Sequence, residues 1–99
     1  MLQLHKDDNV AVAVEDCSSK TLVHVKAPEG VHDFDIEVQS EIPFGPKCAL
    51  TGISLGNLII KYGKPIGRAT TNIQKGELVG VHNIEGLCGR GDQKNKKGG

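Results

Sequence analysis

The chain has 99 residues, enough for one domain with an economical core, and with 3 % aromatic residues that core must be filled by Val, Ile and Leu. Twelve basic residues balance 12 acidic ones, which excludes the global basic field that nucleic-acid binding uses. Cys17, Cys48 and Cys88 are odd in number and widely spaced, so neither a disulfide framework nor a zinc pattern is present, and a reducing, cytoplasmic setting is expected.

The first residues, Met1 to Asp8, carry no apolar segment of the kind a signal peptide needs, and no later run approaches membrane-spanning length. No membrane partner is expected. Asp7-Asp8-Asn9 is a turn cluster. Val10–Val14 alternates large and small side chains and is predicted as a strand with one crowded face. Glu15–Lys20 is a loop, Thr21–Lys26 a second strand, and Ala27-Pro28-Glu29-Gly30 ends it. Asp33–Val38 has the cleanest period of two: Phe34, Ile36 and Val38 point inward and three acids form a solvated face. Cys48, inside an apolar run, is a small core residue.

Two prolines stiffen Ile42–Pro46, which leads into the stretch around which the chain is organised, Gly45–Asn83. Short β-prone runs there alternate with glycine turns and end on polar groups: Lys61 and Tyr62, Arg68, His82 and Asn83. The stretch contains an internal repeat. Ile53, Gly56, Leu58 and Ile59 recur twenty positions later as Ile73, Gly76, Leu78 and Val79, with a poorer echo at Cys17, Lys20, Leu22 and Val23. Each copy reads as a buried apolar residue, a turn that needs a permissive backbone, then a strand. Too few good copies exist for a solenoid. The predicted class is all-β, a single domain over residues 1–92, with helix limited to short turns near Ile53–Leu55 and Ile73–Lys75. After Asn83 the pattern fades into a glycine-rich, flexible stretch. Residues 93–99, with Lys94, Lys96 and Lys97, read as a disordered tail. The Arg90-Gly91-Asp92 adhesion tripeptide carries no weight in an intracellular chain.

Lys61-Tyr62-Gly63, Ile66-Gly67 and Val81-His82-Asn83, with Asp8-Asn9-Val10 before them and Gly89-Arg90-Gly91-Asp92 after, resemble a SAF domain. Over Leu4–Asp92 the chain is similar to the small N-terminal domain, or separate small subunit, of the altronate and galactarate dehydratase family. The resemblance implies a β-clip fold and association with a large catalytic subunit. It also implies a small sugar-acid substrate such as altronate or galactarate, and a divalent metal such as iron in the complex. A sister branch, the sulfolactate sulfo-lyases, has a similar small subunit. Two departures from the family pattern stand out. Pro46 precedes Lys47 where a histidine is usual, and Gly80 stands where the first histidine of a His-Val-His-Asn run is usual. Both remove ligands or proton carriers, so no metal is assigned to this chain alone.

Removing water from a sugar acid requires a base beside the carboxylate, help for the departing hydroxide, and cations to hold the acid. Lys47, Lys61, Arg68 and Arg90 are candidates for the anion, His82 and Tyr62 for proton transfer, Tyr62 also for substrate contact, and Asn83 for hydroxyl recognition. His82 is the one residue assigned a catalytic role; a stabilising strand-end histidine is the alternative. Tyr62 as a packed ring and the lysines as solvated surface also stay open. His5, His24 and His32 have no ligand spacing and receive no metal role. The expected function is a SAF-type subunit that completes a partner's active site. A non-catalytic module binding a sugar acid or a protein, a chaperone-like accessory module, and a homo-oligomer remain as alternatives.

Overall fold

The computed structural model describes residues 1–87. Arg90 and the expected tail at 93–99 lie outside them. The class is all-β, in eight short strands: β1 (Val10–Val12), β2 (Leu22–Val25), β3 (Phe34–Glu37), β4 (Lys47–Ala49), β5 (Leu58–Lys61), β6 (Lys64–Ala69), β7 (Leu78–Val79) and β8 (Ile84–Gly86). They form two three-stranded antiparallel sheets, β1-β4-β7 and β5-β6-β8, and a β2–β3 hairpin.

Strands this short cannot satisfy their own backbone groups, and the chain solves this with one module used repeatedly. Ile53 and Ile73 exchange both backbone hydrogen bonds, each 2.8 Å. Three residues on from each, Gly56 (φ 88°) and Gly76 (φ 87°) sit in the left-handed region. The Gly56 amide donates to Ala69 O at 2.9 Å and the Gly76 amide to Ala49 O at 2.8 Å. Ala69 N–H donates back to Asn57 O, and Ala49 N–H to Glu77 O. The repeat seen in the sequence is therefore a pseudo-two-fold axis, with twenty positions carrying each bond onto its mate.

The poor echo at Cys17 is a true copy, and a fourth copy went unseen in the sequence. Cys17 and Ile42 exchange backbone hydrogen bonds of 2.7 and 2.8 Å. Lys20 (φ 67°) and Gly45 (φ 113°) occupy the left-handed positions. The Lys20 amide donates to Val38 O and the Gly45 amide to Ala13 O, while Val38 N–H returns to Thr21 O and Ala13 N–H to Pro46 O. The residues four before each crossing, Ala13, Val38, Ala49 and Ala69, are all buried, as are the crossing residues themselves. Lys20 hides its copy because it carries a side chain where the others have glycine. Ile42 hides its copy because Pro43 disguises the turn.

The pseudo-symmetry extends outward. Asn9 Nδ2 donates to Leu58 O at 3.0 Å and Asn9 Oδ1 accepts from Ile60 N–H at 2.8 Å. Asn83 Nδ2 donates to Leu78 O at 2.9 Å and Asn83 Oδ1 accepts from Gly80 N–H at 2.9 Å. The two asparagines are equivalents, each opening an outer strand, β1 or β8. The core lies where the copies meet, in one cluster around Cys17, Ile36, Val38, Ile42 and Cys48 and another around Val10, Ile53, Ile59, Ile73 and Val79.

Several boundaries differ from expectation. The anticipated helical turns are β-turns, Ser54–Asn57 and Gln74–Glu77, closed by hydrogen bonds of 2.9 and 3.1 Å; positive φ at the glycines turns the chain back before a helical turn can form. β1 stops at Val12 because Ala13 is taken up by the Gly45–Pro46 crossing. β8 forms where a fading, flexible stretch was expected. It pairs Gly67 with Gly86 and Arg68 with Glu85, and Gly67 permits this because a Cβ there would lie 2.7 Å from Glu85 O.

The two equivalent glycines differ in surroundings. A Cβ at Gly56 would meet nothing within 4 Å, whereas one at Gly76 would run into the Glu37 carbonyl oxygen. Gly56→Ala is expected to cost about 1–2 kcal/mol, from backbone strain alone, and Gly76→Ala about 1–3 kcal/mol more. Urea unfolding of the two variants checks this; equal midpoints would refute the difference.

Candidate functional site

The β5–β6 hairpin closes through Lys61 and Lys64. Its two turn residues, Tyr62 (φ 58°) and Gly63 (φ 72°), are both left-handed, the backbone of a type I′ turn. Glycine is at home there; tyrosine is not, and its left-handed backbone costs on the order of 1–2 kcal/mol. The ring gains little packing in return, since the residue is 65 % exposed. An aromatic side chain held in a disfavoured conformation and presented to solvent makes Tyr62 a candidate for function.

What fixes the turn is Asp8. It is buried at 6 % exposure, and its carboxylate is satisfied by backbone donors: Oδ1 accepts from Gly63 N–H at 2.8 Å and Oδ2 from His5 N–H at 3.0 Å. Asp8 N–H returns to His5 O at 3.0 Å. The His5 ring lies against Gly63, with Cε1, Nδ1 and Nε2 each 3.0 Å from where a Cβ would stand. Neither His5 nor Asp8 was singled out as a site residue. The signal lay in Asp8-Asn9, two side chains able to bind backbone at consecutive positions, which reads as an ordinary turn until the hairpin is placed against it.

Lys47, in β4, is half-buried. Burial, and then the Lys61 ammonium, hold its pKa below the ordinary lysine range. The structure thus brings Lys47 and Lys61 within electrostatic reach of one another, and among the described residues neither forms an ion pair. Two ammonium groups within electrostatic reach, one partly desolvated, favour a nearby anion, which makes the pair a candidate anion site. Arg68, exposed in β6, donates through Nη1 to Gly56 O at 2.8 Å.

His82 does not lie on the strand that carries Leu78. β7 ends at Val79, and His82 lies on an exposed turn in which Asn83 N–H and Ile84 N–H both donate to Gly80 O at 3.0 Å. A Cβ at Gly80 would stand in ordinary contact with the His82 ring, 3.6 Å from Nδ1, so the ring's place does not require a glycine there. Val79 pairs with Lys47, so the His82 turn begins one residue past that lysine's cross-strand neighbour. Asn83 is 3 % exposed, and its carboxamide holds this turn through one accepted and one donated backbone hydrogen bond.

A second polar cluster lies on the β2–β3 hairpin. His24 Nδ1 meets Asp35 at 3.1 Å and Nε2 meets Asp33 at 3.2 Å. Hydrogen bonds to Asp35 and then Asp33 raise the His24 pKa. The Ala27 amide, and then His24, lower that of Asp33. Among the described residues no group of three or more His, Cys, Asp or Glu is arranged to hold a metal ion. Cys48 is buried and its thiol is pushed up to about 12, so it is inert at neutral pH.

The sequence signature of the altronate/galactarate dehydratase SAF domain matches residues 1–87. The chain is 38 % identical over 84 residues to the altronate dehydratase of Bacillus subtilis (strain 168), an alignment covering 85 % of this chain and 16 % of that protein. It is 38 % identical over 82 residues to the altronate dehydratase of Escherichia coli (strain K12), covering 83 % and 15 %. To the (2R)-sulfolactate sulfo-lyase subunit alpha of Chromohalobacter salexigens it is 41 % identical over 49 residues, covering 50 % and 52 %. The chain therefore spans about a sixth of the length of the altronate dehydratases it matches.

The depressed pKa of Lys47 has a stability consequence whose sign is fixed. A lysine whose folded pKa lies below its unfolded value penalises folding while it is charged in both states, and the penalty vanishes above the unfolded pKa. Lys47→Met is expected to unfold at the same or slightly higher urea concentration than the native chain at pH 7. The difference should shrink as pH rises toward the ordinary lysine range. Paired urea titrations at pH 7 and in the alkaline range test this; a clearly destabilised Lys47→Met at pH 7 would contradict it.

Proposed function

The chain belongs to the altronate/galactarate dehydratase SAF-domain family, and from that premise we propose that it is the small component of a sugar-acid dehydratase, completing the active site of a large catalytic partner. The observation that carries this reading is the Lys47–Lys61 pair, two cations without a carboxylate among the described residues. They suit the carboxylate of a sugar acid. Exposed Tyr62 stands next to Lys61 in the turn and supplies a hydroxyl to the same ligand. Arg90 is proposed as a further contact to the acid from outside the described residues.

Dehydration removes a proton from the carbon beside the carboxylate and hydroxide from the next, leaving an enol and water. On this chain His82 is the proposed proton carrier, since its side chain is exposed at the tip of its turn. It would serve the partner's chemistry from outside. A divalent metal does not fit the described donor set. His82 stands without the two family histidines, Pro46 and Gly80 holding their places, and three well-placed ligands are the usual minimum. Any metal of the complex is proposed to be held by the partner. No helix among the described residues is long and apolar enough to cross a membrane, and a cytoplasmic setting is proposed.

A second reading has specific support. Elimination of sulfite by a sulfolactate sulfo-lyase would use the same anion site, and two such alpha subunits are 41 % and 35 % identical to the chain over 49 and 53 residues. A pull-down from the native host identifies the large partner, and steady-state assays with altronate, galactarate and sulfolactate then decide. The partner is expected to turn over one of these acids faster with this chain than without it. His82→Ala should lower turnover by about a hundredfold to ten-thousandfold while leaving assembly intact. A partner fully active alone would sink the subunit reading; a silent His82→Ala would leave the chain a structural cover.

A further inference from the structure

His5 lies beneath the Lys61–Lys64 turn, and the reading above gives it no task. Its Nδ1 accepts from Asp7 N–H at 3.1 Å. Asp7 Oδ2 is farther from the same nitrogen, at 3.8 Å, so the backbone amide decides its role. With Nδ1 an acceptor, the tautomer carries its proton on Nε2. Nε2 has no hydrogen-bond partner among the described residues. The side chain is 42 % exposed, so this donor is open to solvent. The ring cannot drift from the turn, because it is packed on Gly63, where it fills the space a side chain would take. Asp8 ties the His5 and Gly63 amides to one carboxylate.

We infer that His5 is a ligand-binding residue of the same anion site, offering Nε2–H to a carboxylate or hydroxyl oxygen of a small hydroxy acid. Asp8 is the positioning residue that holds His5 and the Tyr62–Gly63 turn in one register. The inference rests on the reading of Lys47 and Lys61 as the site for that acid. The division of labour is physical. The lysines supply charge that attracts any anion, whereas a fixed, directional N–H donor selects an oxygen at a defined place beside the carboxylate.

The test is a titration of the ¹⁵N-labelled full chain with altronate, galactarate and (2R)-sulfolactate in turn, followed by NMR. In the native chain one acid is expected to shift the Tyr62 and Gly63 amides and the His5 Nε2 resonance together. His5→Asn keeps an acceptor for the Asp7 amide but cannot reach the Nε2 position, and should weaken that acid about ten- to hundredfold. His5→Gln, which places an amide donor near Nε2, should retain most of the affinity. Asp8→Asn should move the His5 nitrogen signals toward a mixture of tautomers; an unmoved signature overturns the positioning role. Native affinity in His5→Asn overturns the assignment of His5 and leaves the lysines standing. Equal loss in His5→Asn and His5→Gln, with the Gly63 amide displaced in the free proteins, reduces His5 to a structural wedge and overturns the inference. No response of the native chain to any of the three acids overturns the lysine site, and His5 with it.

Discussion

The structure depends on satisfying backbone hydrogen bonds in strands only two to six residues long. A strand of this length leaves most of its amides and carbonyls at its ends, where burial without a partner is costly. The chain answers by crossing itself twice, at Cys17–Ile42 and at Ile53–Ile73. At each crossing a left-handed residue turns its amide back onto the opposite arm. The apolar core follows from this arrangement: the residues four before the crossings are small or β-branched because the opposing backbone passes close to them.

The candidate site residues gather where the pseudo-symmetry breaks. Asn9 and Asn83 make the same pair of hydrogen bonds to equivalent strands, but they arrive by different routes. Asn83 is reached from β7 by the tight turn that carries His82. Asn9 is reached from the N-terminal segment, which brings His5 and Asp8 under the hairpin tip. One scaffold thus presents two unlike ends, a histidine turn and a clamped tyrosine turn, with Lys47 on the strand that pairs with β7 and lies near Lys61.

Much of this was legible from the residues. The all-β class followed from short β-branched runs and glycine turns, and the Ile53/Ile73 repeat identified one axis correctly. The other axis was obscured because left-handed backbone is a property of position rather than of residue type: Lys20 adopts it without the glycine that would announce it. β8 was missed because Glu85-Gly86 has no strand propensity of its own; its pairing is dictated by the absence of a side chain at Gly67 on the neighbouring strand. At the site, the lysines and Tyr62 could be named from their places at strand ends. His5 and Asp8 could not, because what they touch lies more than fifty residues further along the chain. Asn83 has a task that its place beside a histidine did not announce: its carboxamide bonds the backbone of its own turn.

The two self-crossings also bear on how the chain reaches this state. Neither is a local contact; each closes a loop of some twenty residues or more, and β4 must wait for both β1 and β7 before its sheet is complete. Loop-closure entropy has to be met before most of the burial that offsets it is available. The first crossing involves only segments up to Gly45–Pro46, and the second needs Gly76–Glu77. During synthesis the first half can close on itself while the outer strand β7 is still missing. Until then one edge of β4 stands open, an edge that a second chain could occupy as readily as β7 does.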